Sequence, residues 1–199
     1  MKKTTFLLPI LFLILSLDAF GQYQTNQSYM LEKQKIGRSG MIAYTTWSGA
    51  NLIGGAIGWG TAKGEWRYFG QMTTIWSIIN LGISVPGLLG SFKTYENSVP
   101  TSELVRSQYS SEQTYLINGG LDFLYIGSGA VLSAISNQHP NNRDLLRGFG
   151  NAIMIQGGFL LLFDFMQFLR HRHQRTSSDK LFIDGLSMSN TGLGLKYTF

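Results

Sequence analysis

Two aspartates stand inside long apolar runs that contain no lysine, arginine or histidine: Asp122 within residues 115–136 and Asp164 within 148–169. Two further runs, 41–60 and 69–90, carry a carboxamide in the same way, at Asn51 and Asn80. A carboxyl group at membrane depth is costly, so it faces a bundle interior, pairs with a neighbour or lines a polar path. Two such carboxyls brought together can share a proton and act as an acid/base pair. They can also hold a small ligand or an ion. The plainest alternative is a hydrogen-bonded network that fixes helix register, each contact contributing about 0.6 kcal/mol.

Each of the four runs has the roughly 20 residues that a membrane helix needs. Their faces are apolar or small nearly all round, whereas a soluble four-helix protein shows a polar stripe of period 3.6. Steps of three and four put Asn118, Asp122 and Tyr125 on one face of the third run, and Trp76 with Asn80 on one face of the second. In the fourth, Gln156 and Asp164 belong to a broader stripe that continues to Gln167 and His171. With a rise of about 1.5 Å per residue, Asn51 and Asn80 lie roughly 15 Å from one face, Asp122 about 10 Å and Asp164 about 8 Å. The candidate polar centre is therefore Asn51, Trp76, Asn80, Asn118, Asp122, Tyr125, Gln156 and Asp164. Gly54 with Gly58, and Gly129 with Ser133, are read as sites of close helix approach.

Residues 1–21 have the three parts of a signal peptide: a basic start at Lys2 and Lys3, an apolar stretch from Phe6 to Leu17, and small residues at Ala19 and Gly21. A polar N-terminal segment, 22–40, follows. The membrane domain is 41–169, and 170–199 is a basic tail whose alternating end, GLGLKYTF, pairs with LFIDGLS as a β-hairpin. The links 61–68 and 137–147 are short and make antiparallel hairpins; the link 91–114 is longer, with Pro100 placed to start a surface helix. The expected architecture is an all-α membrane protein, a four-transmembrane-helix bundle of two antiparallel hairpins with a short C-terminal β-hairpin.

A charged fraction of 14% against 44% hydrophobic residues fits a surface largely in lipid. The net charge of +5 flanks the apolar runs, so the bilayer is the expected partner, with a homo-oligomer or another membrane protein beside it, and nucleic acid is not. With no cysteine and three histidines, His171 and His173 splayed at a basic helix end, neither a metal site nor a cofactor is expected. Orientation is contradictory. The signal peptide places the long link and the tail outside, yet nine basic residues from Lys33 to Lys180 fall on that side against four on the other.

The segment LEKQKIGRSGM, the Trp47-xxx-Asn51 spacing, YFGQMTTIWSIINLGI at 68–83 and the terminal GLGLKYTF resemble a family of small four-helix bacterial envelope proteins that is a domain of unknown function. The resemblance implies four membrane helices, residence in the cell envelope and no assigned catalytic residue; because the four runs are continuous rather than alternating, the cytoplasmic membrane is expected ahead of the outer one. The expected function is non-enzymatic, with a polar cluster that is structural or takes a small ligand or lipid. The alternatives are a membrane enzyme using Asp122 and Asp164, for which Gly119-Gly120-Leu121-Asp122 approaches a Gly-x-Gly-Asp motif, and a component of small-solute or ion transport.

Overall fold

The computed structural model describes residues 7–93, 99–178, 186–189 and 192–195, with side chains from residue 26 to residue 178. Four long helices follow one another: α1 (Leu7–Thr61), α2 (Gly64–Gly90), α3 (Thr101–Ile135) and α4 (Arg143–Ser177). Two short 3-10 turns, Ser136–Gln138 and Pro140–Asn142, join α3 to α4. Near the C-terminus β1 (Leu186–Ser189) pairs antiparallel with β2 (Gly192–Leu195), Leu186 opposite Leu195.

The helices outrun the apolar segments that define them. Residues 22–40, polar in sequence, are helical and continuous with 41–60. What makes them continuous is a buried face at steps of three and four: Tyr29, Ile36, Gly40, Tyr44 and Ser48. The long link shortens as well. Pro100 occupies the N-cap position of α3 and its carbonyl accepts from the amides of Glu103 and Leu104 at 3.0 and 3.1 Å. A proline is suited to a helix start because its missing N–H has no partner to lose there. Between α1 and α2 the connection is Ala62 and Lys63, closed by Gly64 at φ 56°, a left-handed backbone open to glycine at little cost.

Packing is inverted relative to a water-soluble protein. Among the described residues six buried side chains are hydrophobic and sixteen are polar or charged, while Ile53, Ile78, Leu116, Phe123, Leu162 and Met166 are among the large apolar side chains on the outside. An exterior of that kind is stable against lipid and not against water. Three helical stretches are long and apolar enough to cross a bilayer, Gly64–Gly90, Thr101–Gln138 and Pro140–Ser177. Of the four expected spans, 41–60 is not among them: Thr45, Thr46, Ser48 and Asn51 lower its hydropathy.

α4 is the central helix, packed against α1, α2 and α3. At the loop end the backbones close tightly. A Cβ on Gly129 would meet the Gly150 carbonyl at 2.5 Å, and one on Gly70 would meet the Trp59 amide at 2.5 Å. Gly129 makes the close approach its sequence context suggests, whereas Gly54 faces open space and its neighbour Gly55 takes the contact with Thr74. At the other end α2 stops short, and α1, α3 and α4 continue as a three-helix collar. There Arg38 and Gln34 of α1 donate to the Ser91 carbonyl at 2.8 Å each, placing a cation where the α2 C-terminus is electronegative.

Candidate functional site

The buried polar residues fall into separate layers along α4. The layer nearer the loops is a closed ring. Trp47 Nε1 donates to Gln156 Oε1 at 3.0 Å, Gln156 Nε2 donates to Asn51 Oδ1 at 3.0 Å, and Asn51 Nδ2 returns to the Trp47 carbonyl at 2.8 Å. Phe159 stacks on the Trp47 ring at 4.2 Å and 6°, which holds the indole in the plane that reaches Gln156. Gln156 is 1% exposed, with donor and acceptor both engaged.

The second layer lies eight residues further along α4, about 12 Å away. Here Asp122 of α3 and Asp164 of α4 are both buried, and their carboxyl groups interact with each other. Two carboxyl groups brought together in this way can share a proton. Tyr44 of α1 donates its hydroxyl to Asn80 Oδ1 of α2 at 3.0 Å, and its ring lies 5.1 Å from that of Phe163, the residue before Asp164. All four helices thus contribute one side chain. Several buried atoms in and beside this layer have no hydrogen-bond partner among the described residues: Asp122 Oδ2, Asn80 Nδ2, Ser84 Oγ and Gln167 Nε2. Gln167 lies over Gly40, where any Cβ would collide with its amide.

The eight residues expected to form one centre are accordingly divided. Asn80, Asp122 and Asp164 come together; Asn51 and Gln156 belong to the ring; Trp76 and Tyr125 meet edge to face at 5.1 Å on the contact of α2 with α3. Asn118 is half-buried. The similar depths counted for Asn51 and Asn80 do not correspond to contact, because Asn80 reaches α1 at Tyr44, seven residues before Asn51. Tyr44 and Trp47 are the participants the sequence did not nominate. Tyr44 was detectable, since 44, 48 and 51 recur at steps of four and three.

The collar forms a third polar layer. Arg175 of α4 grips Glu112 of α3 with two hydrogen bonds, 2.8 and 3.1 Å, and Gln108 Nε2 donates to the His171 carbonyl at 2.6 Å. His171 is not the exposed basic helix end that the sequence suggests: it is 3% exposed and stacked on Tyr115 at 5.5 Å. From α1, Lys33 donates to Ser107 Oγ, and burial pushes its amine down to about 8 against a partial offset from Glu112.

Among the described residues no group of three or more metal-ligating side chains converges. The family of unknown function DUF6992 has a model that matches residues 43–165. The chain belongs to that family. All eight candidate residues fall within the matched stretch, together with Tyr44 and Trp47, while residues 26–42 of α1 and the collar end of α4 lie outside it. No curated protein and no solved structure matches the chain.

Proposed function

We propose that this is a non-enzymatic membrane protein whose Asp122–Asp164 layer binds a small polar solute carrying at least one hydrogen-bond donor. The observation that carries the reading is the set of orphaned atoms. A buried polar atom without a partner costs about 1–3 kcal/mol, so four around one carboxyl pair is a large penalty for a site that only packs helices. A solute with both donor and acceptor would meet Asp122 Oδ2 on one side and the Asn80 and Gln167 amides on the other. The tight glycine contacts at the loop end favour entry from the collar. A second reading, an acid/base enzyme, is favoured by the nearness of the two buried carboxyls, which is the arrangement a proton-sharing pair needs.

In this reading residues 41–60 are a fourth crossing, their polar side chains facing inward, and β1 with β2 forms a small hairpin outside the membrane bundle. The protein resides in a bacterial cell envelope after loss of residues 1–21, in contact with the bilayer and with further copies or a membrane partner.

The test is native mass spectrometry of the purified protein, with Asp122→Asn, Asp164→Asn and the double variant alongside. The expected result is a small-molecule adduct on the wild type that weakens in each single variant and is absent from the double variant, with little change in thermal stability. Loss of folding in either single variant would make the layer structural. An unaltered adduct in the double variant would remove the site.

A further inference from the structure

At the loop end, away from the carboxyl pair, the end of α1 and the starts of α2 and α4 line a cleft of about 870 Å³. It is roomy because its walls are small, Ala56 and Gly60 on α1, and it runs along α2 from Gly64 to Thr74, about 15 Å of helix. Trp59 and Tyr68 stand at its rim, the residue types that mark the membrane–water boundary.

The charges in the cleft are Lys63, Arg67 and Asp144. None of the three makes an ion pair among the described residues. The contrast with their neighbour is direct, since Glu65 is held by Arg147 at 3.4 Å and by Asn151 at 2.7 Å. Two free cations and one free carboxylate therefore line the same opening. Below them the helical spacing that brings Ala56 and Gly60 to the cleft also brings Ile53 and Ile57, and on α2 Ile75 and Ile78 continue the face of Arg67 and Tyr68. All four isoleucines are exposed, from 40% to 66%.

We infer that this cleft binds the head group of a zwitterionic aminophospholipid, phosphatidylethanolamine, with its acyl chains along the isoleucine faces. The phosphate lies between Lys63 and Arg67, as basic pockets between membrane helices hold lipid phosphates. The primary ammonium donates to Asp144. A phosphatidylglycerol head group carries no cation to pair with that carboxylate. A choline head group has no N–H to donate.

The experiment is native mass spectrometry of the full chain in detergent with equimolar phosphatidylethanolamine, phosphatidylcholine and phosphatidylglycerol of matched chains. Phosphatidylethanolamine is expected to be retained about tenfold over phosphatidylcholine, the worth of one charge-assisted hydrogen bond. In the Lys63→Gln/Arg67→Gln variant retention falls to the phosphatidylcholine level, and in Asp144→Asn the lead over phosphatidylglycerol disappears. All three side chains are exposed, so melting curves of the variants should overlay the wild type. Equal retention of phosphatidylethanolamine and phosphatidylcholine by the wild type overturns the assignment, as does preference for phosphatidylglycerol or undiminished binding by the double variant.

Discussion

The Gln156 ring and the Asp122–Asp164 layer are about 12 Å apart on one helix and use the same kinds of residue, amides and an aromatic donor, yet they are opposites in hydrogen bonding. In the ring both ends of Gln156 are engaged and an aromatic stack fixes the geometry. In the carboxyl layer Asn80 uses its oxygen and leaves its nitrogen bare, and Asp122 leaves one oxygen bare. A complete network stabilises and specifies a structure; an incomplete one is either a defect or a place for something else. Residue type at membrane depth therefore does not separate packing glue from a site, whereas satisfaction of each polar atom does.

The comparison breaks most easily at its satisfied end. Gln156→Leu strands the Trp47 indole N–H and the Asn51 oxygen and is expected to destabilise the bundle by about 2 kcal/mol, toward the upper range for membrane hydrogen bonds lost in pairs. Denaturant titration in mixed micelles measures it, and a loss below about 0.5 kcal/mol would put the ring on a par with its neighbour layer. Trp47→Phe keeps the stack on Phe159 and removes one donor, so about 1 kcal/mol is expected, with a double-mutant cycle against Gln156→Leu showing clear coupling.

The collar offers a third case, a buried amine with a hydroxyl partner. Lys33 has its amine lowered from 10.5 to about 8 by burial. The unfolded chain then binds the proton more readily than the folded one. The cost is in full force below pH 8 and is relieved as pH rises from about 8 to 10.5. Melting temperature should climb across that window. Lys33→Met should flatten the climb and stabilise the protein at neutral pH by on the order of 1 kcal/mol. A parallel climb in the variant would assign the pH dependence elsewhere. The smallest effect is expected for Asp122→Asn, within about 0.5 kcal/mol, because one oxygen already lacks a partner and the substitution is nearly isosteric.

Three of the four expected spans were legible because apolar length is written directly in composition, as Gly64–Gly90 illustrates. The similar depth of Asp122 and Asp164 was legible too, since α3 and α4 form a short-linked hairpin and both residues lie about 8–10 Å from the face opposite that link. Asn51 and Asn80 belong to a hairpin as well, but α2 meets α1 through tightly packed glycines, and the counted depths fell a turn or more from the true contacts. The collar was hidden for a different reason. Its inward face is Tyr29, Lys33, Gln108, Glu112, His171 and Gln174, polar residues that carry no hydrophobic period and read as loop or basic tail. Burial there is dictated by partners on two other helices, which a single segment cannot display.

α1 has no proline between residues 10 and 61 and runs without interruption from the collar to the two-residue turn. From Asn26 to Thr61 it is a strut of about 52 Å. A straight helix of that length transmits displacement with little loss. A partner that tilts the collar end by a few degrees would swing Tyr44, Trp47 and the lip at Lys63 together, in proportion to their distances from the pivot. The chain thereby has the mechanics of a lever, with its handle at the collar and its load at the two polar layers.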